Sequence, residues 1–337
     1  MAMHSRTKSM LLALDRVLAA CVLPVTNERG VLLSFLFHSL FEGPGELQSG
    51  IVDPQQGITV GMLRQVLGHF QKQSYKFVSP KDVLNGLPSG GKYVLLTFDD
   101  GYYNNIRALP VLEEFRAPAV LFVSSNYMKW GKAFWWDVAY RESKKRGRGE
   151  REIQREVARY KRLKTVDVET QLRNQFGADS LKPVSDLDRP FTPAELREFA
   201  EHPLVSLGNH TSDHAILANY SAEEVHAQIQ GAQDDIRAMT GKSAEIIAYP
   251  NGDESPVIVE AAKSVGIHFG IGVHPGRNRL PLRPGSRDAM TLKRFTLTGD
   301  SAIEPQCRMS RSGVSLYRSA YSMKRKAGAG FSSLRPA

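Results

Sequence analysis

The sequence has few of the features that stabilise secreted proteins or anchor proteins in membranes. Its 337 residues contain only two cysteines, Cys21 and Cys307, at opposite ends of the chain. They provide neither a disulfide framework nor the paired thiolates of a structural zinc site. The apolar segment 10–25 is interrupted by Asp15 and Arg16, and it is shorter than the roughly 20 apolar residues that a bilayer-spanning helix needs. We therefore expect a cytoplasmic protein, with peripheral contact to the inner membrane left open.

Further absences narrow the range of functions. The chain has no internal repeat and no glycine-rich phosphate loop of recognised spacing, which argues against a solenoid and against nucleotide chemistry. Its basic segments carry no interleaved aromatic residues and no nucleic-acid-binding signature, so nucleic acid is not an expected partner.

Acidic residues are scarce in two segments, which account for the formal net charge of +9. Residues 141–164 hold eleven Lys and Arg against four Glu, and residues 305–337 hold seven Lys and Arg and no acid. We interpret the first segment as a solvated helix surface and the second as a basic, disordered tail. The alternative for both is attraction to a membrane surface or a lipid-linked glycan.

Residues 1–30 are expected to form an N-terminal amphipathic helix segment. Leu11, Leu14, Leu18 and Val25 recur at the spacing of one helical face. We expect that face to pack against the domain that follows. The alternative is that it lies on a membrane surface.

The remaining chain reads as alternating strands and helices, in a composition that is 42% hydrophobic. Such alternation indicates an α/β protein with a parallel sheet, either open or closed into a barrel. We expect one catalytic domain over residues 31–304, with a basic helical insertion at about 138–190. The predicted strands are 31–37, 93–98, 119–123, 204–207, 245–249, 268–273 and 292–297. The predicted helices are 60–73, 105–115, 193–201, 222–240 and 256–265.

Two predicted strands end in residues that are suited to metal chemistry. Asp99 and Asp100 follow strand 93–98, and His210 and His214 follow strand 204–207. A carboxylate and two imidazoles can bind one divalent ion, and the second carboxylate can accept a proton from water. An Asp-Asp-Gly turn alone is usually structural. Two independent strand ends with such residues favour a shared site.

These motifs resemble those of the polysaccharide deacetylase family, also called carbohydrate esterase family four. Thr97-Phe98-Asp99-Asp100-Gly101 is similar to the first family motif and His210-Thr211-Ser212-Asp213-His214 to the second. Ala248-Tyr249-Pro250-Asn251-Gly252 resembles a variant of the third, and Phe134-Trp135-Trp136-Asp137 is similar to a segment of members linked to surface polysaccharide synthesis. The resemblance covers residues 31 to about 300 and implies a distorted (β/α) barrel of the polysaccharide deacetylase type.

The resemblance also implies roles. Asp100, His210 and His214 would bind the divalent metal, most often zinc in the family. Asp99 would be the general base. Asn251 would supply a backbone N–H to the oxyanion, beside Tyr249.

Two departures from the family pattern concern other catalytic groups. Ala248 stands where the third motif usually carries the arginine that orients the base, and Arg294 is the candidate replacement, with a surface cation as the equal alternative. His274 is the candidate general acid, although its register against the family motif is poor and a simple loop histidine is the favoured interpretation. His38, after strand 31–37, is expected either on the pocket floor or as a hydrogen-bonded core histidine.

Three functional hypotheses follow. The first is a metal-dependent N-deacetylase acting on an N-acetylated sugar of a surface or cell-wall polysaccharide or its precursor. The second is an amidase on a small non-sugar amide that uses the same metal site. The third is a catalytically silent glycan-binding relative, which the combination of Asp99, Asp100, His210 and His214 disfavours.

Overall fold

The computed structural model of the protein describes residues 5–314, with side chains from Leu14 onward. In this part of the chain the strands are β1 (Val31–Phe37), β2 (Lys76–Phe77), β3 (Lys92–Phe98), β4 (Ala119–Val123), β5 (Val205–Asn209), β6 (Ile246–Ala248), β7 (Phe269–Ile271), β8 (Asn278–Arg279) and β9 (Phe295–Thr296). The helices are α1 (Ser5–Val22), α2 (Pro44–Leu47), α3 (Val60–Lys72), α4 (Pro80–Leu84), α5 (Leu109–Phe115), α6 (Ser125–Trp130), α7 (Trp135–Lys145), α8 (Glu150–Tyr160), α9 (Thr165–Phe176), α10 (Pro193–Glu201), α11 (Ala222–Thr240), α12 (Pro256–Ser264), α13 (Arg287–Met290) and α14 (Ile303–Ser312).

The strands form one curled, mainly parallel sheet. Its order is β7-β6-β5-β4-β3-β1-β8, in which β1 and β3 to β7 run parallel and β8 pairs antiparallel with β1. Every predicted strand has a counterpart here. The two-residue strands β2 and β8 were missed because they are too short to show a periodic pattern.

The two ends of the sheet meet at the segment that contains β9. Leu292 bridges Ile271 of β7, and Phe295 pairs with Phe35 of β1. The sheet is therefore a distorted (β/α) barrel, and Arg294 lies between the two bridging residues. This closure carries Arg294 into the barrel.

Side chains alternate between the barrel interior and the surrounding helices, as they must on a pleated strand. In β3, Leu95 belongs to the interior cluster that also contains Val120 and Ile271. Leu96 and Phe98 instead pack in the cluster under the helices. Both faces are buried, which explains why these strands read as continuous apolar runs.

The insertion between β4 and β5 consists of α7, α8 and α9 and has a core of its own. Its first helix, α7, begins at Trp135, slightly before the predicted boundary. This core contains Trp135, Trp136, Ile153 and Tyr160, all buried. Many of its charges are paired, as in the contacts of Arg148 with Glu152 and Glu156. The insertion is thus a folded wall of the domain as well as a charged surface.

The boundary predicted for the basic tail was wrong. The first eight residues of the predicted tail, 305–312, belong to the folded helix α14, in which Ile303, Cys307 and Met309 are buried. Ile303 and Cys307 lie one turn apart on one helical face, and the helix packs against α3 and α1. The prediction for residues 315–337 lies outside the described residues.

The N-terminal segment contains α1, which packs against α14. Of the predicted apolar face, Leu18 is half-buried, whereas Leu14 and Val25 are exposed, so the described part of this face turns only partly toward the domain. Asp15 and Ala19 are buried, whereas Leu14 and Val17 are exposed. Among the described helices, none is long and apolar enough to cross a bilayer.

Candidate active site

The carboxyl ends of β1, β3 and β5 bring the predicted site residues to one edge of the barrel. Phe37 pairs with Phe98, so His38 and Asp99 are adjacent, and the Asp99 amide donates to the Phe37 carbonyl at 2.9 Å. His210 follows β5, and its amide donates to Val123 of β4 at 3.0 Å. Parallel pairing thus assembles a site from residues more than 100 positions apart.

Asp100, His210 and His214 point ligand atoms at one spot. Asp100 Oδ1 lies 3.3 Å from His210 Nε2 and 3.4 Å from His214 Nε2, and the three ligand atoms lie within 4.8 Å of one another. Burial opposes ionisation of Asp100, yet the neighbouring histidines outweigh it and lower the pKa of Asp100 to about 2. Its carboxylate is therefore ionised at neutral pH.

The hydrogen bonds around these atoms fit a cation. His210 Nδ1 lies 2.7 Å from the Ala248 carbonyl, which accepts only from a protonated Nδ1. A neutral His210 then turns the lone pair of Nε2 toward Asp100 Oδ1, a buried atom without a hydrogen-bond partner. Two facing lone pairs repel unless a positive charge lies between them. Such a carbonyl-oriented imidazole is the usual support of a metal-binding histidine.

A tight loop, and not a helical turn, presents the two histidines together. Thr211 and His214 have positive φ angles of 63° and 49°. The side-chain oxygen of Asn209 accepts a hydrogen bond from the Thr211 amide at 2.9 Å. The Thr211 hydroxyl in turn accepts one from the Ala215 amide at 2.7 Å. These bonds hold a backbone conformation that is costly for residues other than glycine.

Arg294 forms a buried bidentate pair with Asp99. Its Nη1 and Nη2 donate to the two carboxylate oxygens at 2.6 Å each, and Nη1 also donates to the Thr97 hydroxyl at 3.0 Å. Nε donates to the Gly272 carbonyl at 2.8 Å. Burial raises the pKa of Asp99, but the charge of Arg294 outweighs it, and the pKa lies below its usual value. The alternative of a surface cation is wrong, because Arg294 is 0% exposed.

We expect Arg294→Lys to lose much of the turnover rate while metal content stays near wild type. A lysine keeps the positive charge but cannot make the paired hydrogen bonds that orient Asp99. Arg294→Ala should lose more and should also unfold more easily, by roughly 3–5 kcal/mol, because it leaves a buried carboxylate unpaired. Turnover, bound metal and denaturant unfolding are to be measured together.

Arg107→Ala is the matched control. Arg107 also bonds both oxygens of one carboxylate, that of Glu46, but it is partly exposed. Near-normal turnover in Arg294→Ala would mean that the pair does not orient the base.

A cavity of about 560 Å³ opens above these residues. The predicted residues His38, Tyr249 and Asn251 line it together with Asp99 and Arg294. Asn251 has a positive φ of 59° and an exposed side chain. The Tyr249 hydroxyl donates to the Met290 carbonyl at 3.0 Å, so Tyr249 forms a fixed wall there. The insertion and a nearby loop complete the lining with Asp53, Gln55, Trp135, Trp136, Glu150, Gln154, Val157 and Lys161.

His274 does not reach the site. It is exposed and is not among the residues that line the cavity, and its carbonyl accepts from the Arg294 amide at 3.0 Å. The backbone of His274 thus pairs with the closing segment, in which Arg294 is buried, while the His274 side chain stays on the surface. His38 is the histidine at the cavity wall that is not part of the Asp–His–His group.

Gln56 fixes the orientation of His38. The Gln56 amide nitrogen donates to the Leu36 carbonyl at 2.8 Å, which turns Oε1 toward His38. Oε1 then accepts from the His38 amide at 3.0 Å and lies 3.1 Å from Nδ1. Since Oε1 can only accept, Nδ1 carries a proton and Nε2 is the other, exchangeable position.

Sequence reasoning missed an aromatic network that joins the insertion to the site. Asp137 accepts from the Tyr102 hydroxyl at 2.6 Å and from the Asp53 amide at 2.9 Å. Trp136 Nε1 donates to the Tyr102 hydroxyl at 2.7 Å, and the Trp136 ring lies 4.5 Å from that of His214. Burial raises the pKa of Asp137 well above its usual range. The consecutive residues Trp135-Trp136-Asp137 were the sequence feature that could have indicated this network.

The barrel and the site at its carboxyl edge define a class of (β/α)-barrel proteins with an aspartate pair beside two histidines. The chain belongs to the polysaccharide deacetylase family, whose sequence profile matches residues 86–270. Among curated proteins, none matches the sequence significantly.

Solved structures agree on the fold. The chain is similar to the Streptococcus pyogenes deacetylase PplD in complex with acetate, with a TM-score of 0.58 and 16% identity over 84% of this chain and 99% of that one. It is similar to IcaB from Ammonifex degensii, with a TM-score of 0.54 and 18% identity over 84% and 97%. For the BpsB deacetylase domain from Bordetella bronchiseptica these values are 0.51 and 18% over 81% and 98%.

Proposed function

We propose that the protein is a metal-dependent hydrolase that removes N-acetyl groups from an N-acetylated sugar of a surface or cell-wall polysaccharide or its precursor. The observation that carries this proposal is the pair of adjacent carboxylates in different settings. Asp99 is bound by Arg294, whereas Asp100 faces two histidines. Two neighbouring acids with separate partners are suited to separate roles in hydrolysis.

Asp100, His210 and His214 would hold the divalent ion, for which zinc is our choice because two imidazoles and one carboxylate are typical of catalytic zinc sites. When bound, such an ion polarises a carbonyl group and lowers the pKa of water.

Asp99 is the proposed general base. Its Oδ2 lies 3.9 Å from His210 Nε2, so the base borders the ligand group without belonging to it. The lowered pKa keeps it ionised and able to take the proton of the attacking water. The water oxygen bonds to the acetyl carbon, the carbon–nitrogen bond breaks, and the sugar nitrogen must gain a proton to leave as an amine. Arg294 holds Asp99 in the geometry for the first transfer.

His38 is the proposed general acid, in place of His274. With Nδ1 held by Gln56, its Nε2 is the position that can deliver a proton to the departing nitrogen. The backbone N–H of Asn251 remains our candidate for the oxyanion. Trp135 and Trp136 add aromatic wall, and Glu150, Gln154 and Lys161 supply polar groups for the rest of the glycan.

We expect His38→Ala to lower turnover by roughly 100-fold, within the usual range for removal of a general acid. Zinc content should be unchanged. The matched control is His274→Ala, which should retain near-normal turnover because His274 lies outside the cavity lining. A large loss in His274→Ala with little loss in His38→Ala would reverse this assignment.

The test of the function itself is the product that is released. The purified protein loaded with zinc should release acetate from N-acetylated oligosaccharides and leave free amino groups on them. Release of ammonia or formate from small amides, without acetate from the glycans, would support the alternative of a small-molecule amidase. No product from either substrate class would support a silent glycan-binding relative.

A further inference from the structure

Where its side chains are described, α1 exposes an apolar stripe to solvent. Leu14, Val17 and Val25 are 45%, 62% and 83% exposed. Leu14 and Val17 lie one turn apart on α1, and Val25 follows in the short 3-10 turn after it. The opposite side holds buried Asp15 and Ala19. In the described part of α1, the side toward the protein holds Asp15 and Ala19 with the half-buried Leu18 and Val22, and Leu14 and Val17 are left to solvent.

The exposed charges nearest to this stripe along the described chain are positive. Arg16 and Arg29 are exposed. The neighbouring carboxylates are withdrawn, because Asp15 is buried and Glu28 bonds Arg311 at 2.7 Å and 3.0 Å. Residues 315–337 add only positive charge, since they contain five Lys and Arg and no acidic residue. That segment follows α14, the helix on which α1 packs.

We propose that the apolar stripe of α1 docks the protein on a membrane surface that contains anionic lipids. Apolar side chains enter the boundary between headgroups and acyl chains, and basic residues are attracted to acidic headgroups. Three aliphatic side chains give only weak binding alone, so the attachment is reversible and depends on the basic residues and on salt. This attachment is independent of the proposed chemistry, because the stripe belongs to α1 and not to the cavity lining.

The test is flotation of the full-length protein with lipid vesicles. We expect co-flotation with vesicles of phosphatidylcholine and phosphatidylglycerol, little with phosphatidylcholine alone, and loss of binding at high salt. The double variant Leu14→Asp, Val17→Asp should bind anionic vesicles roughly tenfold or more weakly.

The matched control is Val166→Asp, Val257→Asp. These valines are 65% and 53% exposed on other helices, and the control changes the net charge by the same amount. It should bind nearly as wild type. Binding that falls equally in both variants, or wild-type protein that ignores anionic vesicles, would overturn the proposal.

Two other partners could cover the apolar stripe of α1, and each predicts a different result for the Leu14→Asp, Val17→Asp variant. If the segment 315–337 of the same chain covered it, the α1 variant would melt at a lower temperature. If a second copy covered it, the variant would convert a dimer to a monomer in light scattering. Either result would also overturn membrane docking, for which the melting temperature and the mass in solution stay unchanged.

Discussion

Asp99→Asn is expected to reduce turnover by roughly 100-fold or more while zinc content stays near wild type. The amide keeps the shape of the carboxylate but cannot accept a proton from water. Asp99 is bound by Arg294 and is not part of the Asp–His–His group, so metal binding should survive. The measurements are acetate release from an N-acetylated oligosaccharide and metal content by mass spectrometry.

The substitution also leaves Arg294 buried without a counter-charge, and a loss of stability must be separated from a loss of chemistry. Breaking such a pair costs roughly 3–5 kcal/mol. The double variant Asp99→Asn, Arg294→Gln removes the unpaired charge and should recover part of the stability without recovering turnover. If Asp99→Asn loses the metal while Asp100→Asn keeps it, the roles of the two aspartates are reversed.

His210→Ala should abolish stoichiometric zinc and reduce turnover to background, with the fold retained. Removal of one of three protein ligands leaves too few donors for a stable catalytic site, and a domain of this size is held by its apolar core. Metal content and circular dichroism of the same preparation test this.

His202→Ala is the control for that substitution, because His202 pairs with Glu113 at the surface. It should keep both zinc and activity. Wild-type protein that never retains a divalent ion above background would contradict the metal site. His210→Ala protein that keeps its zinc would remove His210 from the ligand group.

Local sequence patterns predicted much of the fold because strand ends and helix starts are encoded in neighbouring residues. The apolar run before Asp99 is an example. At the start of α11 the structure shows such a local signal as well, a capping box of Ser221 and Glu224. Local patterns decided less about α1, whose predicted apolar face is only partly turned toward the domain. A periodic apolar stripe predicts a helix, but not whether that stripe faces the protein or the solvent.

The sequence by itself determined the barrel strands, the two motifs at their ends and thus the candidate metal-binding group, since each depends on a few consecutive residues. The tertiary structure alone decided which distant groups join them. Arg294 meets Asp99 across 195 positions because the segment around β9 closes the barrel. His38 reaches the cavity because β1 ends at the edge where the site assembles, whereas His274 pairs with Arg294 through its backbone and leaves its side chain exposed.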